Sequence, residues 1–226
     1  MLPQLLKELC GVNGLEWIRV HYAYPDLVSD ELIDILKQQP KLCHYLDMPL
    51  QHISDDILVA MRRRSRGAKI RERLAVLQKA IPDMAIRTTL IVGFPGENDA
   101  HFEELLQFVR EAKFARLGAF KYSREPGTPS AEMSNQVAEE VKEERFHRLM
   151  ETQRTISKEL NSQMIGRNVQ VLVENRNSGR TYRDAPDIDG TFIFESTLPA
   201  GIKAGSLITA RVTSASDYDL KGVLVT

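Results

Sequence analysis

The amino-acid sequence predicts an α/β portion with parallel strands, followed by a small all-β barrel. Over roughly the first 125 residues, runs of branched and aromatic residues alternate with amphipathic helical runs. A long charged helical segment follows, and beyond about residue 168 short strand-like runs are separated by Gly and Pro. We therefore place the boundary between two domains at residue 163, which gives segments 1–162 and 163–226.

The first portion is predicted to contain four strands that alternate with helices. The strand-like runs are WIRVHYAYP, YLDMPLQ, AIRTTLIVGFPGE and RLGAFKYS. Between them, Ser29 and Ser54 are candidate N-caps in front of acidic first turns, and Phe102, Leu105 and Val109 form one apolar stripe. The order β-α-β-α-β-α-β indicates parallel strands joined by right-handed crossovers.

Segment 1–162 closes with a Pro-rich loop, REPGTPSAEMSN, and a long charged helix, which is acidic at its start and is ended by Gly166, just past the boundary. The runs NVQVLVEN, TFIFES, GSLITARVTSAS and GVLVT then occupy roughly 60 residues. That length is too short for a full sandwich. It suits a five-stranded barrel of the oligonucleotide-binding kind.

Composition excludes several classes of protein. Apolar residues make up 42% of 226, which excludes a wholly disordered chain. Thirty Lys and Arg against 31 Asp and Glu argue against a surface that binds nucleic acid everywhere, although not against a local basic patch.

Cys10 and Cys43 suit neither a disulfide framework nor a zinc knuckle, and we expect buried, reduced thiols. Because we find neither a membrane-span candidate nor a signal peptide, we expect a cytoplasmic protein without a membrane partner.

The segment LIVGFPGE, from Leu90 to Glu97, is the sharpest local signal. It predicts a strand that ends in a Gly-Pro-Gly turn at the carboxyl edge of the sheet, where parallel α/β proteins bind ligands. At Gly93 the backbone could approach a ligand without a Cβ in the way. An ordinary tight strand-to-helix turn explains the segment equally well, and it matches neither a dinucleotide fingerprint nor a P-loop.

Three polar residues lie in or just after predicted strands. Gln51 and His52 follow a strand end, where a polar pair can hydrogen-bond a ligand, although a lone His is more often structural. Arg87 lies within an otherwise apolar strand and should face a carboxylate, because burying an unpaired guanidinium is costly. That carboxylate can belong to a ligand or, as an internal ion pair, to the protein.

Two charged stretches have competing interpretations. The run MRRRSRGAKIRER, residues 61–73, could bind phosphates, but a solvated helix face is the commoner explanation and no aromatic residue is interleaved. From Gln163 onward, seven basic residues balance seven acidic ones, and the acidic run RDAPDID favours a basic protein partner over phosphate.

Six segments, taken in order, resemble the methylthiotransferase family of radical-SAM enzymes. They are WIRVHYAYP, YLDMPLQHISDDIL, RTTLIVGFPGE, LGAFKYSREPGT, EEVKEERFHRLM and GRTYRDAPDIDG, and they span about residues 15–222. The resemblance implies an α/β fold with a partial (β/α) radical-SAM barrel, followed by a small all-β TRAM barrel of the OB-like kind. Lys221 departs from the family pattern, because a tryptophan is usual there, and this puts the closing contacts of the barrel in question.

The resemblance also implies cofactors, namely S-adenosylmethionine and [4Fe–4S] clusters held by closely spaced cysteines. Cys10 and Cys43 match none of the family's cluster cysteines, so we assign no catalytic residue and no metal ligand, and we expect neither cofactor to be held firmly by this chain. What the resemblance carries over is the nucleoside side of the S-adenosylmethionine site. The candidates are Gln51, Arg87 and Thr89 for polar contacts, Ile91, Val92 and Gly93 at the adenine side, and Phe120 on the last strand.

Within the family, GRTYRDAPDIDG resembles the RimO type, which methylthiolates an aspartate of a small-subunit ribosomal protein. The resemblance therefore implies the carboxyl-terminal part of such an enzyme, inactive in this truncated form, with the TRAM domain contacting the ribosomal protein. Two alternatives stay open: a tRNA adenosine methylthiotransferase of the MiaB type, which makes tRNA the less favoured partner, and a non-catalytic module that docks to the ribosome. We expect a monomer.

Overall fold

Four parallel strands form one sheet in the order β1-β2-β3-β4. In the computed structural model, which describes residues 1–225, these strands are β1 (Ile18–Val20), β2 (Leu42–Asp47), β3 (Ala85–Val92) and β4 (Arg116–Lys121). The helices of this portion are α1 (Leu2–Cys10), α2 (Asp30–Gln38), α3 (Asp55–Ala60), α4 (Gly67–Ala80) and α5 (Asp99–Ala112). The predicted alternation of strands and helices is confirmed, and α1 is an additional helix that the sequence analysis did not assign.

The helix starts follow the predicted capping rules at one position and depart from them at another. The Ser29 hydroxyl accepts a 3.2 Å hydrogen bond from the backbone N–H of Leu32, as expected of an N-cap. Ser54 precedes α3 but makes no side-chain cap bond. Its backbone N–H donates instead to Nδ1 of His52 at 3.0 Å, so the start of α3 is held by the preceding histidine.

The sheet has two different faces because side chains alternate along each strand. On one face, alternate residues of the strands pack against α2, α4, α5 and the long helix described next. This helix-side core contains Leu42, Leu46, Ile86, Leu90, Val92, Leu36, Leu77, Leu105, Val109 and Leu149. The opposite face, here called the inner face, has more polar side chains, among them Arg19, Asp47 and Arg87.

Helix α6 (Glu139–Ser162) connects the sheet portion to the barrel. It is shorter than the charged run that predicted it. The five strands β5 (Asn168–Asn175), β6 (Ser178–Thr181), β7 (Phe192–Phe194), β8 (Leu207–Ala215) and β9 (Leu220–Leu224) close a barrel in the order β5-β6-β7-β9-β8. The predicted five-stranded barrel is confirmed, while the domain boundary at residue 163 stays a prediction.

Barrel closure does not need an aromatic residue at position 221. Lys221 is exposed and pairs through its backbone with Ile193 of β7, and its carbonyl accepts a 3.1 Å hydrogen bond from the Thr213 hydroxyl. The barrel interior is filled by a separate cluster that includes Val171, Phe192 and Val212. The lysine therefore leaves the closing strand pairs intact. Within residues 1–225, no helix is both long enough and apolar enough to cross a membrane.

Candidate functional site

The inner face of the sheet collects most of the predicted site residues. Alternation along the strands places them opposite the helix-side core. The inner-face residues are Arg19 on β1, Cys43, Tyr45 and Asp47 on β2, Ala85, Arg87, Thr89 and Ile91 on β3, and Arg116, Gly118 and Phe120 on β4. The register of the parallel strands places Asp47, Arg87 and Arg116 side by side at one level of the sheet. Ile91 and Phe120 lie side by side at a second level, nearer the carboxyl ends of the strands.

A loop of the barrel domain, residues 182–190, covers the lower, amino-terminal half of the inner face, and we call it the docking loop. Its Ala185 packs in one buried cluster with Cys43, Tyr45, Ala85 and Ala115 of the sheet portion. The small side chains on the sheet leave the space that the loop fills. Two parts of the molecule that are distant in sequence thus share a core.

Charged and polar contacts fix the docking loop to the sheet. The Tyr45 hydroxyl donates a 2.8 Å hydrogen bond to Asp189. Arg116 forms a buried ion pair with Asp184, whose other carboxylate oxygen accepts a 2.7 Å bond from the Thr181 hydroxyl. Burial, with the Asp189 carboxylate next to it, holds the pKa of Tyr45 well above its usual range. The phenol therefore stays protonated and remains a hydrogen-bond donor.

The docking loop corrects the interpretation of RDAPDID as an acidic docking patch. Asp184 is 2% exposed and the Asp189 side chain is 2% exposed, so both carboxylates are used inside the molecule. Only Asp187 of the three is exposed, in a left-handed turn with φ of 66°. The charge count from the sequence was right, but its assignment to an open surface was wrong, because buried carboxylates need cationic partners from the same chain.

The Arg87 side chain contacts both the sheet and the docking loop. Its Nη1 donates a 2.9 Å hydrogen bond to Asp47, and its Nε lies 3.4 Å from Asp189. Although burial alone would lower it, the pKa of Arg87 is raised by these two carboxylates. The sequence left open whether Arg87 meets a ligand or an internal carboxylate, and the structure gives it two internal ones. The internal ion pair is thus the interpretation that the contacts favour, and a polar contact from Arg87 to a cofactor stays a prediction.

The upper half of the inner face, toward the carboxyl ends of the strands, is not covered by the docking loop. Thr89 and Ile91 are partly exposed there, and Phe120 is 62% exposed. Next to them, a groove of about 380 Å³ is lined by Gln51 and Ile91 together with Met61, Arg62, Arg63, Phe94 and other residues. Gln51 runs alongside β3, since its N–H donates to the Thr89 carbonyl at 2.9 Å and its carbonyl accepts from the Ile91 N–H at 2.8 Å. Gln51, Thr89, Ile91 and Phe120 are thus brought to one edge.

Val92 and Gly93 do not join this group as predicted. The Val92 side chain is fully buried in the helix-side core, so it cannot contact a ligand on the inner face. Gly93 has φ of 72°, and a Cβ there would lie 2.3 Å from Cγ of Lys142 on α6. Its N–H donates a 3.0 Å bond to Glu97. The glycine is thus required by packing and backbone conformation within the chain, and its amide is already used.

A buried polar network holds the turn that follows β3. Glu97, 4% exposed, accepts the N–H of Gly93 with one carboxylate oxygen and a 2.8 Å bond from Arg145 of α6 with the other. His52 is fully buried with Nε2 3.4 Å from Glu97, while its Nδ1 accepts from Ser54. The fully buried ring thus lies among groups of the protein itself, which favours the structural interpretation of His52.

Sequence reasoning missed Tyr45, Asp47, Glu97 and Asp189. A signal existed for the first two, since Cys43, Tyr45 and Asp47 alternate along a strand with Leu42 and Leu46 on the other face. Glu97 and Asp189 each join a nearby backbone N–H to a side chain far away in sequence, Arg145 and Tyr45 respectively. Nothing in a local pattern indicates such partners.

The cysteines do not fit an iron–sulfur cluster. Within residues 1–225, no group of three or more His, Cys, Asp or Glu is arranged to hold a metal ion. Cys43 is buried on the inner face against the docking loop, and burial raises the pKa of its thiol. Cys10 lies at the end of α1. Two thiols are fewer than the three thiolates that such a cluster would take from the protein.

Comparison with known proteins defines the class first. The family model described as Radical SAM superfamily matches residues 1–109, and the TRAM domain model matches residues 165–225. The solved structure of coproporphyrinogen III oxidase (HemN) from Escherichia coli, a radical SAM enzyme, covers 100% of this chain and 56% of its own length, with a TM-score of 0.54 at 16% identity. That likeness bears on the fold alone. The chain thus combines a radical-SAM sheet with a TRAM barrel.

Curated relatives then narrow the family. The chain is 48% identical to the ribosomal protein uS12 methylthiotransferase RimO of Geobacter sulfurreducens over 99% of its length, and 47% identical to that of Lachnoclostridium phytofermentans over 98%. A third relative with the same name, from Pelobacter propionicus, is 49% identical over 98%. The chain belongs to the radical-SAM methylthiotransferase family, of the RimO type. It spans about half the length of these relatives, 50–51%.

Proposed function

We propose that this chain forms the carboxyl-terminal part of an enzyme that methylthiolates a ribosomal protein, uS12. The observation that carries the proposal is the identity of 43–49% that runs along 98–100% of the chain to relatives named for that activity. The matched stretch spans both the sheet edge and the docking loop. The proposal keeps the protein in the cytoplasm, where it meets its ribosomal substrate.

The upper half of the inner face supports a role in binding the nucleoside part of S-adenosylmethionine. Ile91 and Phe120 offer apolar surface, and Gln51 and Thr89 offer polar groups beside it. When bound, the cofactor supplies the radical chemistry of the family. The residues of this chain would bind and orient its nucleoside and exclude water from it. Gly93 would contribute only by shaping the turn, and Arg87 by holding the floor of the site through Asp47 and Asp189.

Two further parts of the proposal follow from the cysteines and the docking loop. By itself the chain is inactive, because its two cysteines cannot supply three thiolates to one cubane cluster. The TRAM barrel contacts the ribosomal protein with surfaces other than the docking loop, since Asp184 and Asp189 of that loop are buried.

A chimera tests the proposed activity. The chain replaces the matching half of the Geobacter sulfurreducens relative, and the chimera is reconstituted anaerobically and incubated with uS12 and, separately, with tRNA. Mass spectrometry should show one methylthio group in place of one hydrogen on uS12, as with the unaltered relative. Methylthiolated tRNA would instead support the MiaB-type alternative. No product, while the relative stays active, would support a non-catalytic docking module.

A further inference from the structure

Four arginines lie within five positions between α3 and α4, at residues 62–66, and we call this segment the arginine loop. They are Arg62, Arg63, Arg64 and Arg66. None of them has a carboxylate oxygen within 4.0 Å in the part of the chain that the structure describes. The arginines of the following helix do, since Arg71 pairs with Glu111 and Arg73 with Asp30. The arginine loop is therefore a local concentration of uncompensated positive charge on a chain of net charge −1.

Two of the four guanidinium groups hold the loop in shape. Arg66 donates from Nη1 to three carbonyl groups of the loop, at residues 63, 64 and 65, over 2.9–3.2 Å. Arg63 donates to the Pro49 carbonyl at 2.7 Å and lies over the Tyr24 ring, 4.6 Å from its centroid. The loop is thus held by its own Arg66 and by contacts of Arg63 with the segments that follow β1 and β2.

The other two guanidinium groups are exposed to solvent and, within the described residues, make no internal contact that would hold them. Arg62 and Arg64 are exposed, and their side chains donate no hydrogen bond to any residue from 1 to 225. Arg62 is at the wall of the groove that also contains Gln51 and Ile91. Arg62 is therefore a free cation at the open, carboxyl edge of the sheet, and Arg64 is exposed two positions further along the same loop.

Two carboxylates lie close to the loop, but both bind neutral donors. Asp26 accepts a 2.7 Å bond from the Ser65 hydroxyl, and Asp55 accepts a 2.7 Å bond from the backbone N–H of Gly67. Four positive charges against these two negative ones leave the segment cationic. An anion at Arg62 and Arg64 would not have to displace an existing ion pair, which removes one common cost of binding.

Two exposed tyrosine rings lie just past the carboxyl end of β1, at the same edge of the sheet. Tyr22 and Tyr24, which follow β1, are 79% and 48% exposed. Tyr24 also stacks with Arg63, so its ring is already oriented. The basic run 61–73 itself contains no aromatic residue. The two tyrosines come from the segment that follows β1. Arginines beside exposed aromatic rings are the combination that binds the phosphates and bases of a single strand.

We propose that the arginine loop, with Tyr22 and Tyr24, is a docking surface for single-stranded RNA. Arg62 and Arg64 bind backbone phosphates, and the two tyrosine rings stack with unpaired bases. An acidic protein segment would use the charges but would leave both rings unused. The surface adjoins the groove lined by Gln51 and Ile91, so RNA bound there sits beside whatever enters that groove.

Fluorescence anisotropy of a labelled 12-nucleotide oligouridine with the full chain tests the proposal. The double variant Arg62→Ala/Arg64→Ala should bind about 10-fold more weakly at 100 mM salt, and its plot of log affinity against log salt should be flatter by about 1.4, for two lost contacts to a single strand. Tyr22→Ala should weaken binding about 5-fold with an unchanged salt slope, because stacking releases no counterions. The matched control is Arg110→Ala/Arg211→Ala, which removes two exposed arginines elsewhere.

The control pair should change affinity by less than about 2-fold. Equal losses in both double variants would show that only net charge matters and would overturn the proposal. So would a loss confined to the control pair, or no measurable binding at 50 mM salt. A labelled oligoglutamate that binds as tightly as the RNA, and whose binding Tyr22→Ala leaves unchanged, would assign the surface to an acidic protein instead.

Discussion

The hydroxyl of Tyr45 donates a 2.8 Å hydrogen bond to Oδ2 of Asp189, although 144 positions separate the two residues. The same oxygen accepts the backbone N–H of Ala185 at 2.9 Å, which fixes the turn of the docking loop. Oδ1 of Asp189 lies 3.4 Å from Arg87. One carboxylate thus joins the loop's own conformation to two strands of the sheet. We therefore expect the sheet and the barrel to unfold together.

Replacement of Asp189 should destabilise the whole chain. In Asp189→Asn, the amide cannot serve both Tyr45 and Arg87 as a carboxylate does, so the free energy of unfolding should fall by about 2 kcal/mol. Urea unfolding, followed by circular dichroism and by Trp17 fluorescence, measures it. Tyr45→Phe is the milder comparison, with a loss of about 1 kcal/mol. If the two signals separate into two transitions already in the unaltered chain, the expected coupling between sheet and barrel is absent.

The ion pair between Arg116 and Asp184 should contribute more to the free energy of unfolding than the contacts of Asp189 do. Both of its side chains are almost fully buried. Asp184→Asn leaves the guanidinium without its charge partner and should cost about 3 kcal/mol, or roughly 6 to 10 °C in the melting temperature. Asp187→Asn is a matched control in the same loop, since Asp187 is exposed and asparagine tolerates its left-handed conformation. Calorimetry should show almost no change for that control. Similar shifts in both variants would contradict the assigned burial of Asp184.

Local patterns predicted the elements of the fold because strand and helix periodicity depend on neighbours in sequence. The apolar stripe of Phe102, Leu105 and Val109 is buried as expected. The same reasoning failed for Asp184 and Asp189, since no local pattern shows that a loop of the barrel will fill the inner face of the sheet. Charge counting placed these two carboxylates on the surface, where most carboxylates lie.

Local patterns also located only part of the candidate site. The predicted strand ends place Gln51, Thr89, Ile91 and Phe120 at one edge of the sheet, and the structure has them there. The β-strand period of two already excluded Val92 from the face that holds Ile91, so that error was avoidable. Gly93 could not have been resolved from sequence, because the reason for its missing Cβ is Lys142, a residue on a helix that follows much later.

The network at the end of β3 gives a third prediction. Glu97→Gln should destabilise the chain by about 3 kcal/mol, because Arg145 and the Gly93 N–H lose a buried carboxylate. Asp99 binds the same guanidinium at 2.8 Å but is 97% exposed. Asp99→Asn should therefore cost less than about 0.5 kcal/mol. Chemical denaturation of both variants makes the comparison, and equal losses would show that the burial of Glu97 does not matter.

The two thiols should differ in reactivity. Burial raises the pKa of Cys43, so its thiolate is scarce at neutral pH, and the docking loop shields it as well. Cys10 is partly exposed at the end of α1. An aromatic disulfide reagent at pH 7.5 should modify one thiol quickly and the second only after denaturation. Cys10→Ser should abolish the fast phase, whereas Cys43→Ser should leave it unchanged; the reverse pattern would contradict the assignment.

The contact between Tyr182 and the sheet portion should make stability depend on pH in the alkaline range. The Tyr182 hydroxyl donates a 3.1 Å hydrogen bond to the Asp83 carbonyl, and burial, with the negative charge of Asp83, raises the pKa of Tyr182 to about 12. The unfolded chain loses this proton near pH 10, before the folded chain does. The stabilisation is therefore complete below pH 10 and is lost as the pH rises toward 12. Between pH 9 and pH 11 it should decline by about 1 kcal/mol.

Tyr182→Phe removes this contribution at every pH, so its free energy of unfolding should change less between pH 9 and pH 11 than that of the unaltered chain. Urea unfolding at the two pH values measures the difference, and the other tyrosines and lysines cancel because both proteins retain them. Tyr218→Phe is the control, since Tyr218 is 44% exposed. Its pH dependence should match the unaltered chain. If Tyr182→Phe also matches it, the fold does not hold the Tyr182 phenol protonated, and the expected alkaline loss of stability has another source.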